Sequence, residues 1–131
     1  MLFISLFLFT VNVMEFDERF AVYGTDFIFY DYRSPLAIPR ELTDKYDVIL
    51  ADPPYLEEDC LTKVSVTIRL ISKPDSKVIL CTGEVMEELA GKLLNLKMQK
   101  FEIKHERERL SNPFACYANY DLDQYCFRKD K

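Results

Sequence analysis

The residues best suited to chemistry in this sequence are four in a row, Asp52-Pro53-Pro54-Tyr55. They directly follow the apolar run 46–51, which has the length and composition of a buried strand. Proline has no backbone N–H and forces the preceding residue into extended geometry, so the strand must end there in a stiff, exposed corner. The corner offers a carboxylate, outward-facing carbonyls and an aromatic ring. It therefore predicts a site that holds a flat or cationic amine group.

Acidic residues also follow two other predicted strands, at Asp17 (with Glu15 beside it) and at Asp31. The carboxyl ends of parallel strands share one edge of a sheet, which is where open α/β sheets bind their ligands. Acids on that edge can accept hydrogen bonds from a ribose or from an adenine amino group. The alternative for Asp17 and Asp31 is the commoner role of a strand-ending aspartate, which is to start a turn or cap the next helix.

Apolar patterning predicts alternating strands and helices around these residues. The alternation implies an α/β fold with a mostly parallel sheet, to which a C-terminal hairpin adds one antiparallel strand. The charged segment 104–109 is predicted to be a solvated connection in that hairpin. Strands are predicted at 11–17, 27–30, 46–51, 77–82, 97–104 and 114–120, and helices at 60–72 and 84–94, the first of which should bury Leu61, Val64, Ile68 and Ile71.

The composition excludes several classes of function. The formal charge of -5 and the pI of about 4.9 argue against a dedicated nucleic-acid binder, which usually carries a basic face. The four cysteines form no C-x-x-C pair and His105 is the single histidine, so no metal site is expected. We expect the cysteines to be free thiols in a reducing compartment.

The first nine residues are strongly apolar. They lack the basic residues and the small-residue cleavage site of a signal peptide, and they are too short for a membrane-spanning helix. We therefore expect no membrane partner, and we predict that residues 1–10 form an atypical apolar extension that leads into a buried strand.

Residues 13–120 resemble the class I S-adenosylmethionine-dependent methyltransferases. More narrowly, they resemble the eukaryotic elongation factor 1-alpha lysine methyltransferases, a group formerly labelled N6-adenine DNA methyltransferases because of its D-P-P-Y string. That string alone is shared with nucleic-acid enzymes, whereas F-Y-D-Y and C-Y-x-N-Y-D point to the lysine-methylating group. The segments that carry the resemblance are 15–24, 27–32, 46–55, 80–83 with 86–88, and 116–121.

The resemblance implies a cofactor, a substrate and a role for each candidate residue. S-adenosylmethionine would donate a methyl group to a lysine of translation elongation factor 1-alpha in the cytoplasm. Glu15 or Asp17 would meet the cofactor ribose, and Asp31, with Tyr32 beside it, would lie near the adenine. The catalytic residues would hold the target amine in line with the methyl carbon; they are Asp52, Pro53, Pro54 and Tyr55.

The sequence also departs from the family pattern, because the resemblance begins at what should be the second strand. The first strand should be central, between the second and the fourth. Residues 1–9 leave no room for the crossover of a dozen or more residues that a parallel strand would need. We therefore expect a partial, Rossmann-like domain at 11–122 in which the first strand is missing and the strand before Asp52 has an unpaired edge, followed by a polar tail at 123–131.

Two other functions stay open on the sequence alone. One is N6-methylation of adenine in DNA or RNA, which the acidic pI disfavours. The other is an inactive truncated fragment that acts, if at all, as a binding module, which the missing first strand favours.

Overall fold

The computed structural model describes residues 2–5, 10–103 and 112–126, which form an α/β fold with seven strands and three α-helices. Short 3-10 helices at Glu18–Asp26, Arg40–Leu42 and Glu84–Met86 join them. The strands are β1 (Leu2–Ser5), β2 (Thr10–Glu15), β3 (Phe27–Phe29), β4 (Tyr46–Ala51), β5 (Ser72–Gly83), β6 (Lys97–Met98) and β7 (Phe114–Ala118), and the helices are α1 (Glu58–Ile71), α2 (Glu87–Leu94) and α3 (Asp123–Cys126).

All seven described strands lie in one mixed sheet with the order β3-β2-β1-β4-β5-β7-β6. The pairs β2–β3 and β4–β5 are parallel, and the other four adjacent pairs are antiparallel. Strands β2, β3, β4, β5 and β6 therefore run in one direction, while β1 and β7 run in the other. The carboxyl ends of β2, β3 and β4 lie at the same edge of the sheet.

Strand β1 occupies the central position that we expected to be empty. It pairs antiparallel with β2 on one side, as in Leu2↔Val13, and antiparallel with β4 on the other, as in Leu2↔Leu50. The prediction that β4 has an unpaired edge is therefore wrong. The length argument against a parallel crossover still applies, because an antiparallel neighbour needs only a short connection, and Ser5 pairs with Thr10 here.

The core lies between the sheet and the two longer helices. Helix α1 begins after the double-proline corner and presents its predicted apolar residues to the sheet. Helix α2 contacts α1 and buries Ala90. The alternating residues Val78, Leu80 and Thr82 of β5 face this core. The predicted core positions of α1 are confirmed by their burial: Leu61, Val64, Ile68 and Ile71 are each at most 1% exposed.

Some predicted boundaries differ from the structure. Among the described residues 97–103 of the predicted strand, only Lys97–Met98 form a strand. The predicted hairpin connection 104–109, with His105, lies outside the described residues. At the start of the predicted polar tail, α3 is held to the preceding loop, because the Asp123 carboxylate accepts hydrogen bonds from the Lys100 and Phe101 backbone amides at 2.9 Å each. None of the helices that the structure describes has the length and apolarity needed to cross a membrane.

Candidate active site

A cleft of about 310 Å³ opens at the edge where β2, β3 and β4 end. Six of the predicted site residues line it: Glu15, Asp31, Tyr32, Asp52, Pro54 and Tyr55. Asp17 and Pro53 do not belong to its lining. The structure thus brings the predicted amine-holding corner and most of the predicted cofactor residues into one cavity, although they come from three separate strand ends.

The double-proline corner has one buried and three exposed residues. Pro53 is buried and anchors the turn, while Asp52, Pro54 and Tyr55 are exposed, the tyrosine by 55%. Behind the corner, Leu56 packs against Gly83 so closely that a Cβ added to the glycine would lie 2.9 Å from Leu56 Cδ2. The absence of a side chain at position 83 therefore lets the end of β5 support the corner directly.

Glu15 and Asp31, at the ends of β2 and β3, form what we call the acidic edge of the cleft. Hydrogen bonds from the residue after β3 position this edge. The Tyr30 amide donates to the Glu15 carbonyl at 2.9 Å, which holds the ends of β2 and β3 side by side. The Tyr30 hydroxyl lies 2.6 Å from Thr67 Oγ1, which itself donates to the Pro35 carbonyl at 2.8 Å. Burial raises the pKa of Tyr30 to about 12. Tyr30 therefore stays neutral and anchors this edge to α1.

Asp31 is held by the arginine two residues after it. Its carboxylate accepts hydrogen bonds from the Arg33 backbone amide at 2.9 Å and from Arg33 Nη2 at 2.8 Å. These contacts, the side-chain bond above all, lower the pKa of Asp31, so it is ionised at neutral pH. The cleft lining contains three carboxylates, Glu15, Asp31 and Asp52, and one guanidinium, so its formal charge is negative and favours a cationic ligand.

Asp17 has the same local geometry as Asp31 but a different place in the fold. It caps the 3-10 helix Glu18–Asp26, and its carboxylate accepts a hydrogen bond from the Arg19 amide at 3.0 Å. Arg19 Nε also donates to Asp17 Oδ2 at 2.9 Å, and the side-chain hydrogen bond lowers the pKa of Asp17 to about 2. The structural alternative for this aspartate, a helix cap, is what the structure contains.

We expect the Arg19→Ala variant to raise the pKa of Asp17 from about 2 toward its ordinary value, because the guanidinium that favours the charged form is gone. Since the folded pKa is depressed, any stabilisation from this pair is present above the ordinary carboxyl pKa and is lost as the pH falls toward 2. Carboxyl-carbon NMR titration measures the shift. The control variant Arg40→Ala removes another exposed arginine and should leave the pKa of Asp17 unchanged. An unchanged Asp17 pKa in Arg19→Ala would contradict the assignment of Arg19 as its partner.

Tyr32 lies between the acidic edge and the double-proline corner. Its ring meets that of Tyr55 edge-on, with the ring centroids 5.9 Å apart and an interplanar angle of 64°. Burial, followed by the nearby Cys60 and Glu57, raises the pKa of Tyr32, so its hydroxyl stays protonated at neutral pH. The two rings together form an aromatic wall of the cleft.

Sequence reasoning missed other residues of the lining, chiefly Phe16 and Arg33. The Arg33 guanidinium lies over the Phe16 ring, 5.6 Å from its centroid, and Phe16 also contacts the Phe29 ring at 5.6 Å between centroids. The signal was available, because Phe16 directly follows the last residue of β2 and Arg33 stands two residues after Asp31. Across the described residues, no group of three or more His, Cys, Asp or Glu side chains could hold a metal ion.

The residues that form this sheet, its acidic edge and the double-proline corner match a known family. Residues 8–122 match the family model described as "Probable N6-adenine methyltransferase". The match covers most of the chain, and the protein therefore belongs to this methyltransferase family.

Curated relatives give the family a more specific context. The chain is 51% identical over 110 residues to "EEF1A lysine methyltransferase 1" of Danio rerio, covering 83% of this chain and 64% of the relative. It is 46% identical over 119 residues to the Homo sapiens protein of the same name, covering 90% and 54% of the two chains. It is 44% identical over 117 residues to "Protein-lysine N-methyltransferase M142.8" of Caenorhabditis elegans, covering 88% and 53%. The chain thus spans roughly half to just under two thirds of the length of these relatives.

Proposed function

We propose that this protein is an S-adenosylmethionine-dependent protein-lysine methyltransferase whose substrate is translation elongation factor 1-alpha. The observation that carries the proposal is that one cleft contains both the acidic edge and the Asp52–Tyr55 corner. The names of the relatives, which are protein-lysine methyltransferases, support the lysine substrate. The protein would act in the cytoplasm, where translation factors work.

The strand order supports a Rossmann-like site for the cofactor. The run β3-β2-β1-β4-β5 follows the order 3-2-1-4-5 of doubly wound sheets, although β1 is reversed. Such sheets bind ligands outside the carboxyl ends of their parallel strands, and the cleft lies at that edge, where β2, β3 and β4 end. The cleft volume of about 310 Å³ is at the lower end of small-molecule sites, about 300–1,000 Å³.

The residues of the acidic edge fit the cofactor chemically. Glu15 and Asp31 offer carboxylate oxygens to ribose hydroxyls and to an adenine amino group, while Met14 and Phe16 offer apolar surface to a flat base. The negative lining suits a sulfonium, which supplies the methyl group when the cofactor is bound. Asp17 would contribute indirectly, by capping the helix that follows Glu15 and Phe16.

The double-proline corner would hold the acceptor amine. The Asp52 carboxylate and a neighbouring carbonyl can accept the N–H groups of a lysine and so direct its lone pair. Because the amine must be neutral to attack, Asp52, directly or through a water, would also accept the proton that the lysine loses. The exposed Tyr55 ring can lie against the lysine stem and attract its ammonium before deprotonation.

We expect Tyr32→Ala to raise the KM for elongation factor 1-alpha by about 2- to 30-fold, the equivalent of one aromatic or cation–π contact. The reason is the edge-on contact of Tyr32 with Tyr55, which places its ring on the acceptor side of the cleft. Steady-state kinetics with purified factor, together with calorimetric titration of S-adenosylmethionine, separates the two sides. Tyr32→Phe should keep near-normal KM because the ring remains.

Tyr23→Ala is the matched control, since Tyr23 is 58% exposed and lies outside the cleft lining. A weakened cofactor affinity in Tyr32→Ala with an unchanged KM for the protein substrate would instead support the cofactor contact that the family resemblance implies for Tyr32.

The proposed function is tested by labelled methyl transfer. The protein is incubated with labelled S-adenosylmethionine and either purified elongation factor 1-alpha or an adenine-containing oligonucleotide. Label on lysine of the factor supports the proposal, and label on the oligonucleotide alone replaces it with adenine methylation. No calorimetric binding of the cofactor would leave only the inactive-fragment alternative for this chain.

A further inference from the structure

Two cysteines, Cys81 of β5 and Cys116 of β7, lie directly opposite each other in the sheet. The hydrogen bonds Glu84 N to the Pro113 carbonyl (2.9 Å) and Asn119 N to the Val78 carbonyl (3.3 Å) fix the alternation of this antiparallel ladder. Hydrogen-bonded pairs recur every second residue in an antiparallel ladder, so Thr82 with Ala115 and Leu80 with Tyr117 are also hydrogen-bonded pairs. Cys81 and Cys116 lie between these two pairs and therefore form a non-hydrogen-bonded pair.

Non-hydrogen-bonded pairs have the geometry that a cross-strand disulfide needs. Their Cα atoms are about 4.5 Å apart and their side chains point to the same face. Disulfides span Cα separations of about 4.4–6.8 Å, so this pair lies at the short end of the permitted range. Bond formation here requires side-chain rotation and little movement of the backbone.

The two thiols are free and close enough for each to shift the pKa of the other. The neighbouring thiol lowers the pKa of Cys116 and, together with burial, raises that of Cys81, so Cys116 is the thiol of the pair that loses its proton more readily. Cys81 is partly exposed, whereas Cys116 is buried. The pair faces away from the α1 core, where Cys60 is buried separately.

We propose that Cys81 and Cys116 are an oxidative modification site, which a peroxide converts into a reversible cross-strand disulfide. The peroxide first oxidises the thiolate of the pair to a sulfenic acid: the O–O bond breaks, and the departing hydroxide takes up the proton that the thiol had lost and leaves as water. The second thiol then attacks the sulfenic sulfur, a second water leaves, and the S–S bond forms. Both thiols are oxidised and one peroxide is reduced to two waters, so atoms and electrons balance.

The modification site adjoins the double-proline corner. Ala51 pairs with Leu80 in the parallel register of β4 and β5, so the next residues along the two strands are Asp52 and Cys81. The Asp52 carboxylate lies close enough to contribute to the raised pKa of Cys81. Oxidation therefore changes the charge and hydrogen-bonding surroundings of Asp52, but formation of the disulfide does not depend on the function proposed above.

The test is treatment of the reduced protein with one equivalent of hydrogen peroxide, followed by thiol counting and intact mass measurement. We expect two of the four thiols to disappear, a mass loss of about 2 Da for two hydrogen atoms, and full recovery with dithiothreitol. Four remaining thiols, or a mass gain from added oxygen without a disulfide, would overturn the proposal.

Peptide mapping identifies the bonded cysteines in the unaltered protein, so the result does not depend on whether a variant folds. Cys116 and the exposed Cys126 share the tryptic peptide 110–128, and the Cys126→Ser variant distinguishes them. We expect this variant to form the bond as before and Cys81→Ser to lose it. A bond from Cys81 to Cys126, lost in Cys126→Ser, would refute the assignment.

Discussion

Replacing Asp52 by alanine should lower the rate of methyl transfer by about 100- to 10,000-fold, the usual contribution of a positioned proton acceptor. The structure places this exposed carboxylate in the cleft, directly after β4 and two residues before Pro54. The affinity for S-adenosylmethionine should change by less than about threefold, because Glu15 and Asp31 remain on the cofactor side. Single-turnover transfer to elongation factor 1-alpha and calorimetric titration measure the two quantities.

The Asp52→Asn variant separates charge from shape. It keeps the side-chain volume and one acceptor oxygen but cannot take up a proton, so it should lose most of the activity while holding the substrate. Asp75→Ala removes another exposed aspartate, outside the cleft, and should be fully active. If Asp52→Ala transferred methyl groups at the normal rate, the role assigned to this carboxylate would be wrong.

Leu61→Ala should destabilise the fold by about 2–5 kcal/mol, the usual cost of truncating a fully buried leucine. Leu61 is 1% exposed and lies in the first turns of α1, just after the corner that ends at Tyr55. A loss of this size is a large part of the stability of a small domain and should lower the melting temperature by roughly 10 °C or more. Thermal and urea unfolding followed by circular dichroism measure it.

Leu36→Ala makes the same chemical change at a position that is 67% exposed, and it should alter stability by no more than about 0.5 kcal/mol. Equal melting temperatures for the two variants would contradict the packing of α1 against the sheet. The comparison isolates burial, because both variants remove the same three side-chain carbons.

Local patterns were sufficient to predict the elements nearest the cleft. Strand β4 was predicted with its observed bounds, because a continuous apolar run that meets two prolines has only one way to end. The buried face of α1 followed from its helical spacing. The ends of β2, β3 and β4 were also predicted to within two residues, which is why the acidic residues could be assigned to one edge.

Long-range pairing was not predictable in the same way. The partners of β1 are separated from it by 11 and 48 positions, as Leu2↔Val13 and Leu2↔Leu50 illustrate. No local pattern specifies the direction of such a strand. The sequence argument correctly excluded a parallel crossover, but it did not consider that an antiparallel segment could fill the same place.

The two aspartate–arginine pairs show that local sequence predicts the contacts of a residue but not whether the residue lines the cleft. Asp17 and Asp31 each bind the arginine two residues later through its backbone amide and its guanidinium. Their local chemistry is therefore the same. Only Asp31 lines the cleft, because the chain turns away after Phe16 into the 3-10 helix that Asp17 caps, whereas residues 30–33 after β3 stay along the cleft.

The central position of β1 has a consequence for folding during synthesis. Its hairpin with β2 can form as soon as residue 13 leaves the ribosome, but its other partner, Leu50, is made 48 residues after Leu2. At about 5–20 residues per second, the open side of β1 waits roughly two to ten seconds for β4. The middle of the sheet is thus completed only when the segment just before the double-proline corner emerges, so the sheet centre and the edge that bears the cleft form in the same step.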